Sequence, residues 1–182
     1  MTFKQHISEI VLKLSRVVSL LFQVRDLMPN DAFKIYNAQV LPHLQYCAPI
    51  WCNTYPTHLL PLLITQKKII RIITNSGYFE HTQPLFKNMN MLKLLDLNKL
   101  QIAIFMYKSF NTCNIPSLLP QRNYPTRTRE NLRIPQHTLT IFQHSIAYSG
   151  PRIWNNVPEN IKSLPTIHAF KNQYKKHILS KY

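Results

Sequence analysis

The chain has 182 residues, 45% of them hydrophobic, and carries 22 Lys plus Arg against 7 Asp plus Glu, a formal net charge of +15. That apolar share supplies a core and argues against wholesale disorder, while no run approaches the ~20 apolar residues of a membrane span. The basic excess grows along the chain, from five basic and three acidic side chains in residues 1–60 to ten and two in residues 121–182, and points to a polyanion, nucleic acid ahead of acidic lipid.

With 13 prolines and only Gly77 and Gly150, the chain is expected to be mainly α: an irregular multi-helix assembly with proline-rich connectors. Ile7, Ile10, Val11, Leu14, Val17, Val18, Leu21 and Val24 predict a first helix over 6–25. Asn30 or Asp31 can cap a second, which Pro42 should bend or end. Leu44 to Trp51, interrupted by Pro49, reads as a distorted helix or a buried turn.

The stretch from Leu59 to Thr74 is the most apolar helix, with Leu59, Leu60, Leu63, Ile64, Ile69, Ile70 and Ile73 on a broad face and Lys67, Lys68 and Arg71 at its edge. Thr57 is expected to cap it, Pro61 to fall in its first turn, and Asn75 with Gly77 to end it. A proline-started short helix, residues 84–89, precedes a long one starting near Lys93 or Asp96 and running through Phe110.

Composition then shifts. Residues 1–120 read as one helical domain, 121–141 as a basic, extended, exposed connector and 142–182 as a small helical extension. The connector holds Tyr124, Arg127, Arg129 and Arg133, an aromatic beside arginines that can stack on bases and grip phosphates, or a plain solvated loop. Residues 145–158 are dense in turn signals, with Gly150 marking a special backbone position or a close approach. Pro158 and Glu159 open a short helix, and Thr166 caps a last one with Ile167, Phe170, Tyr174, Ile178 and Leu179 on one face.

Catalytic chemistry is sparse. The seven carboxylates, Glu9, Asp26, Asp31, Glu80, Asp96, Glu130 and Glu159, include no adjacent pair of the kind a two-metal site uses. Walker, dinucleotide-binding and Gly-x-Ser-x-Gly patterns are absent, and three cysteines imply no disulfide framework. His43, Cys47, Cys52 and His58 have weak zinc spacing, with packing the better account. No cofactor, metal or small-molecule substrate is therefore expected of this chain. The candidate nucleic-acid contacts are the cationic groups: Lys67, Lys68 and Arg71; Tyr124, Arg127, Arg129 and Arg133; Arg152 beside Trp154; and Lys171, Lys175 and Lys176. The N-terminal MTFKQHISEIV lacks a signal-peptide pattern, so nucleus or cytoplasm is the expected location.

Three stretches resemble the C-terminal region of reverse transcriptases of non-LTR, LINE-type retrotransposons of the jockey-like group. They are Leu27-Met-Pro with Ile35-Tyr36 and Leu41 through Trp51; Leu62 through Ile73, including Gln66-Lys67-Lys68; and Tyr148 through Pro158 with Ile161-Lys162 and Phe170-Lys171. The segment Thr2 to Ile7 is similar to the part of that family just after the polymerase palm. The resemblance implies a helical thumb and post-thumb extension of an RNA-directed DNA polymerase, contacting the RNA–DNA hybrid. It also implies endonuclease and palm regions upstream in an intact relative, with the Mg2+-binding carboxylates in that palm. The chain alone is then expected to be noncatalytic, or a remnant that needs the palm to fold or act.

Overall fold

Proline placement shapes the helices here, because each proline lacks an N–H and is best tolerated where no intrahelical bond is needed. The computed structural model describes residues 3–25, 29–111, 132–136 and 139–182. Those residues form a mainly α-helical, irregular multi-helix assembly with no β-strand among them. The chain divides into two compact units, Met1–Leu97 with Tyr182 and Asn98–Lys181.

In the first unit, α1 (Lys4–Val24) buries Ile7, Ile10, Leu14 and Leu21 and packs along α5 (Pro56–Ile73). Each such side chain contributes about 1.5–3 kcal/mol by leaving water. Next, α2 (Pro29–Ile35) passes into a π-helical turn (Tyr36–Val40) and then α3 (Leu41–Gln45). The capping side chains expected at Asn30 or Asp31 lie outside the described residues. Pro42 explains the wide turn. It cannot donate to the Ala38 carbonyl and its ring crowds that oxygen, and the preceding amide, Leu41 N–H, reaches back five residues to Tyr36 O.

The segment Leu44 to Trp51 breaks at Cys47, which takes a left-handed φ of 49° before α4 (Ala48–Trp51). Trp51 is buried, its indole N–H donates to Tyr46 O at 2.7 Å, and the His6 ring meets it edge-on at 5.7 Å.

Helix α5 departs from the sequence expectation in three ways. It starts at Pro56 with Tyr55 as N-cap, so Thr57 lies inside the helix and does not cap it. Pro61 consequently sits in the second turn, opposite the Thr57 carbonyl it cannot pair. The buried face is Leu59, Leu62, Thr65, Gln66, Ile69, Ile70 and Ile72, whereas Leu60 and Ile64, expected on it, are exposed.

Asn75 ends α5 as expected, whereas Gly77, expected to act with it, has no left-handed φ and takes no part in the closure. Asn75 takes a left-handed φ of 50°, its N–H donates to Ile72 O (3.2 Å), and Ser76 N–H donates to Arg71 O (2.9 Å). This Schellman closure recurs after α6 (Thr82–Asn88), where Asn90 has φ 53°, donates to Lys87 O, and Met91 N–H donates to Phe86 O. Asparagine thus supplies both left-handed caps in a glycine-poor chain. Helix α6 begins at Thr82, two residues before the Pro84 start expected.

Gln66 ties this unit together. It is 1% exposed, its Nε2 donates to Tyr36 Oη (3.1 Å) and Leu92 O (3.0 Å), and its Oε1 accepts from Leu94 N–H (2.9 Å). The last amide opens α7 (Leu94–Asn111), whose first-turn donors have no partner within the helix. Tyr182 also belongs here: its hydroxyl donates to Asp96 Oδ2 (2.7 Å) and accepts from Lys93 N–H (2.9 Å).

The division between units falls inside α7. The second unit continues with α8 (Thr140–Gln143), α9 (Ile146–Asn155), α10 (Glu159–Lys162) and α11 (Ile167–Leu179). The turn-rich stretch 145–158 is largely helical, a correction to the sequence reading, with Gly150 and Pro151 inside α9. Gly150 marks the close approach: a Cβ there would stand 2.8 Å from Met106 Sδ. Thr166 caps α11, its Oγ1 accepting from Ala169 N–H (3.3 Å).

The core of this unit is aromatic. Trp154 stacks on Phe110 (5.1 Å) and Phe170 (6.0 Å), Phe170 stacks on Tyr107 (4.6 Å), and Tyr107 Oη donates to Leu164 O. Residues 132–136 carry no helix or strand, and Leu132, within the connector expected to be exposed, is buried. Asn155 clamps its backbone, accepting from Leu132 N–H (2.9 Å) and donating to Leu132 O (3.0 Å). The expected boundary after residue 120 lies outside the described residues, and the one after 141 falls within α8.

Candidate nucleic-acid interface

Ile64, Lys67, Lys68 and Arg71 are spaced at i, i+3, i+4 and i+7, which puts them on one stripe of α5. Across from this stripe the turn after α5 brings up Tyr78 and Phe79. The six residues line an open groove of about 260 Å³. Tyr78 is 70% and Phe79 91% exposed, and their rings meet edge-to-face at 5.0 Å.

The turn that carries these rings is fastened at both ends. Arg71 donates from Nε (3.1 Å) and Nη2 (2.9 Å) to the Glu80 carbonyl. Glu80 Oε2 accepts from Gly77 N–H (3.2 Å), and Glu80 N–H donates back to Gly77 O (3.1 Å). With the Asn75 closure this leaves little freedom to residues 75–80. Arg71 therefore acts mainly as the buttress of the turn, and Lys67 and Lys68, both exposed, are the cations presented to solvent.

The other predicted positions are distributed differently. Arg133 and Arg152 are exposed in the second unit. Trp154 is 6% exposed with Phe110 and Phe170 stacked on it and Lys162 Nζ 5.7 Å from its ring centroid, so it serves the core and offers no face to a base. On α11, Lys171 and Lys176 are exposed, while Lys175 is half-buried, its ammonium held below the usual lysine range by burial and then by the Lys171 charge. Tyr124, Arg127 and Arg129 lie outside the described residues.

No group of three or more His, Cys, Asp or Glu able to hold a metal occurs among the described residues. Of the zinc-spaced set, Cys47 is exposed at its left-handed position, and Cys52 is buried with its thiol pushed up to about 12. His58 Nδ1 lies 3.4 Å from Thr54 Oγ1.

Sequence reasoning found the three cations of the groove but missed its aromatic wall. The signal was present: Tyr78-Phe79 follows a predicted Asn-containing helix stop and precedes Glu80, a polar setting for two large rings.

Fold and groove together define a mainly α-helical protein with a cationic, aromatic-walled surface site. Comparison with known proteins adds no closer class: no family model matches the chain, and no curated protein or solved structure shows significant similarity to it.

Proposed function

We propose that this chain is a noncatalytic nucleic-acid-binding segment of a LINE-type reverse transcriptase, gripping the template–primer hybrid by its backbone beside a palm that supplies the polymerase carboxylates. The observation that carries the reading is the α5 stripe, where Lys67 and Lys68 stand exposed in a groove and no carboxylate lines it. The net charge of +15 supports it, because backbone contact requires positive charge and little else.

Fluorescence anisotropy with a labelled RNA–DNA hybrid tests it. Binding is expected at about 50 mM salt and should weaken steeply toward about 200 mM. Lys67→Ala with Lys68→Ala should weaken binding for every sequence alike and reduce the salt slope by roughly 2, about one for each lysine. No binding at the lower salt would overturn the proposal. Primer extension by the purified chain should give nothing.

One observation favours the remnant reading. Helix α1 leaves three large apolar side chains exposed, Leu12 at 64%, Leu20 at 44% and Phe22 at 51%, which a neighbouring domain would cover. Aggregation of the isolated chain, relieved by Leu12→Ser and Leu20→Ser, would favour it.

A further inference from the structure

Phe79, at 91% exposure, is a large apolar ring standing almost wholly in water, and Tyr78 beside it is 70% exposed. Isolated exposed hydrophobics are ordinary, but these two share a groove with two free-standing lysines and sit on a turn fastened by Arg71 and Glu80. Their edge-to-face packing covers at most one face of one ring, so ring faces remain open within the groove. The bases of a continuous duplex are already stacked on one another and offer edges, not faces, to a protein. An unpaired base offers a face, and aromatic rings on a cationic track are the means by which proteins hold single strands.

Resting on the nucleic-acid reading above, we infer that this groove takes an unpaired base of a single strand, Tyr78 and Phe79 stacking on it while Lys67 and Lys68 hold the flanking phosphates. Glu80, the one carboxylate of the turn, keeps its charge but does not line the groove, its Oε2 being held on Gly77 N–H. Arg71 is the positioning residue that keeps the rings over the groove. The chain should therefore hold single-stranded RNA or DNA more tightly than a blunt duplex of the same length.

The test is a cycle on the full chain, read by anisotropy at fixed low salt. The probes are a labelled single strand, the same strand made abasic at all central positions, and the blunt RNA–DNA hybrid. Tyr78→Ala with Phe79→Ala should weaken single-strand binding roughly five-fold or more, following the usual cost of losing an aromatic platform. It should change binding of the abasic strand and the blunt hybrid less than two-fold, on the order expected without stacking. Phe79→Trp in the Tyr78→Ala background should retain the single-strand preference that the double alanine variant loses. Both positions are exposed, so thermal melting should show the variants folded. If Lys67→Ala with Lys68→Ala weakens binding while the aromatic variant does not, the inference fails and the backbone-binding reading stands. If no nucleic acid binds, both fail. If vesicles containing phosphatidylserine bind and only that binding depends on Phe79, the groove is a membrane site and the inference is overturned.

Discussion

Replacing Gln66 with methionine keeps the length and helix propensity of the side chain but removes every polar atom from a position 1% exposed. Three groups lose a partner: Tyr36 Oη, the Leu92 carbonyl and the Leu94 amide at the start of α7. A buried group left unpaired costs about 1–3 kcal/mol, so three cost roughly 3–9, against about 1–2 kcal/mol returned by burying the methionine. A net loss of about 1–8 kcal/mol, centred near about 4–5, is a large part of the roughly 5–15 kcal/mol that holds a domain folded. Urea denaturation in a Trp154→Phe background measures it, since Trp51 in the first unit is then the only tryptophan. The neighbouring control, Thr65→Val, removes only a local bond from Thr65 Oγ1 to the Pro61 carbonyl (2.9 Å) and should cost about 1 kcal/mol or less. A Gln66→Met loss no larger than that of the control would refute the idea that this amide fastens α5, the π-turn and the start of α7 together.

The remaining predictions follow from smaller features. Gly150→Val places a branched side chain where a Cβ would stand 2.8 Å from Met106 Sδ, and should destabilise the second unit by about 1–3 kcal/mol in urea melts followed by Trp154 fluorescence in a Trp51→Phe background. Asn75→Ala forces a β-carbon into a left-handed backbone and should cost about 1 kcal/mol, whereas Asn75→Gly should be neutral or stabilising in thermal melts. In alkali, stability should fall. Burial pushes the Cys52 thiol from 9.0 up to about 12, and burial also raises the Tyr36 and Tyr182 hydroxyls. The unfolded thiol loses its proton above pH 9.0 while the folded one keeps it. That stability is fully present below pH 9 and is lost toward pH 12, by about 1.4 kcal/mol per pH unit for this thiol. Denaturant midpoints measured across this range check it, and Cys52→Ala should remove the earliest part of the decline.

Local signals carried much of the fold. The Thr166 cap and the Phe170, Tyr174, Ile178 face of α11 are visible in the sequence because cap and period agree there, and Asn75 stops α5 by a mechanism that needs only neighbouring residues. Pro61 and Thr57 misled because Pro56 offered an earlier start, and a helix anchored by packing along α1 tolerates a proline in its second turn. The stretch around Gly150-Pro151 reads as turns by local chemistry, and it becomes helical where Trp154 is held between rings 44 residues before and 16 residues after it. Tertiary partners outweigh propensity at such places. Gln66 was legible in principle, as a polar residue at helical spacing between Leu62 and Ile69 and Ile70 on the buried face. In the groove, the lysines could be read from α5 alone. The exposure of Tyr78 and Phe79 could not, because it depends on a turn shaped by Arg71 bonding nine residues ahead.

Photocrosslinking tests the groove most directly. A single strand carrying 4-thiouridine is irradiated with the full chain, digested with trypsin and mapped by mass spectrometry. The account predicts adducts on the peptide Ile72–Lys87, which contains Tyr78 and Phe79, and their loss in Lys67→Ala with Lys68→Ala. Adducts confined to α11, or spread evenly over the basic surface with none on that peptide, would contradict it.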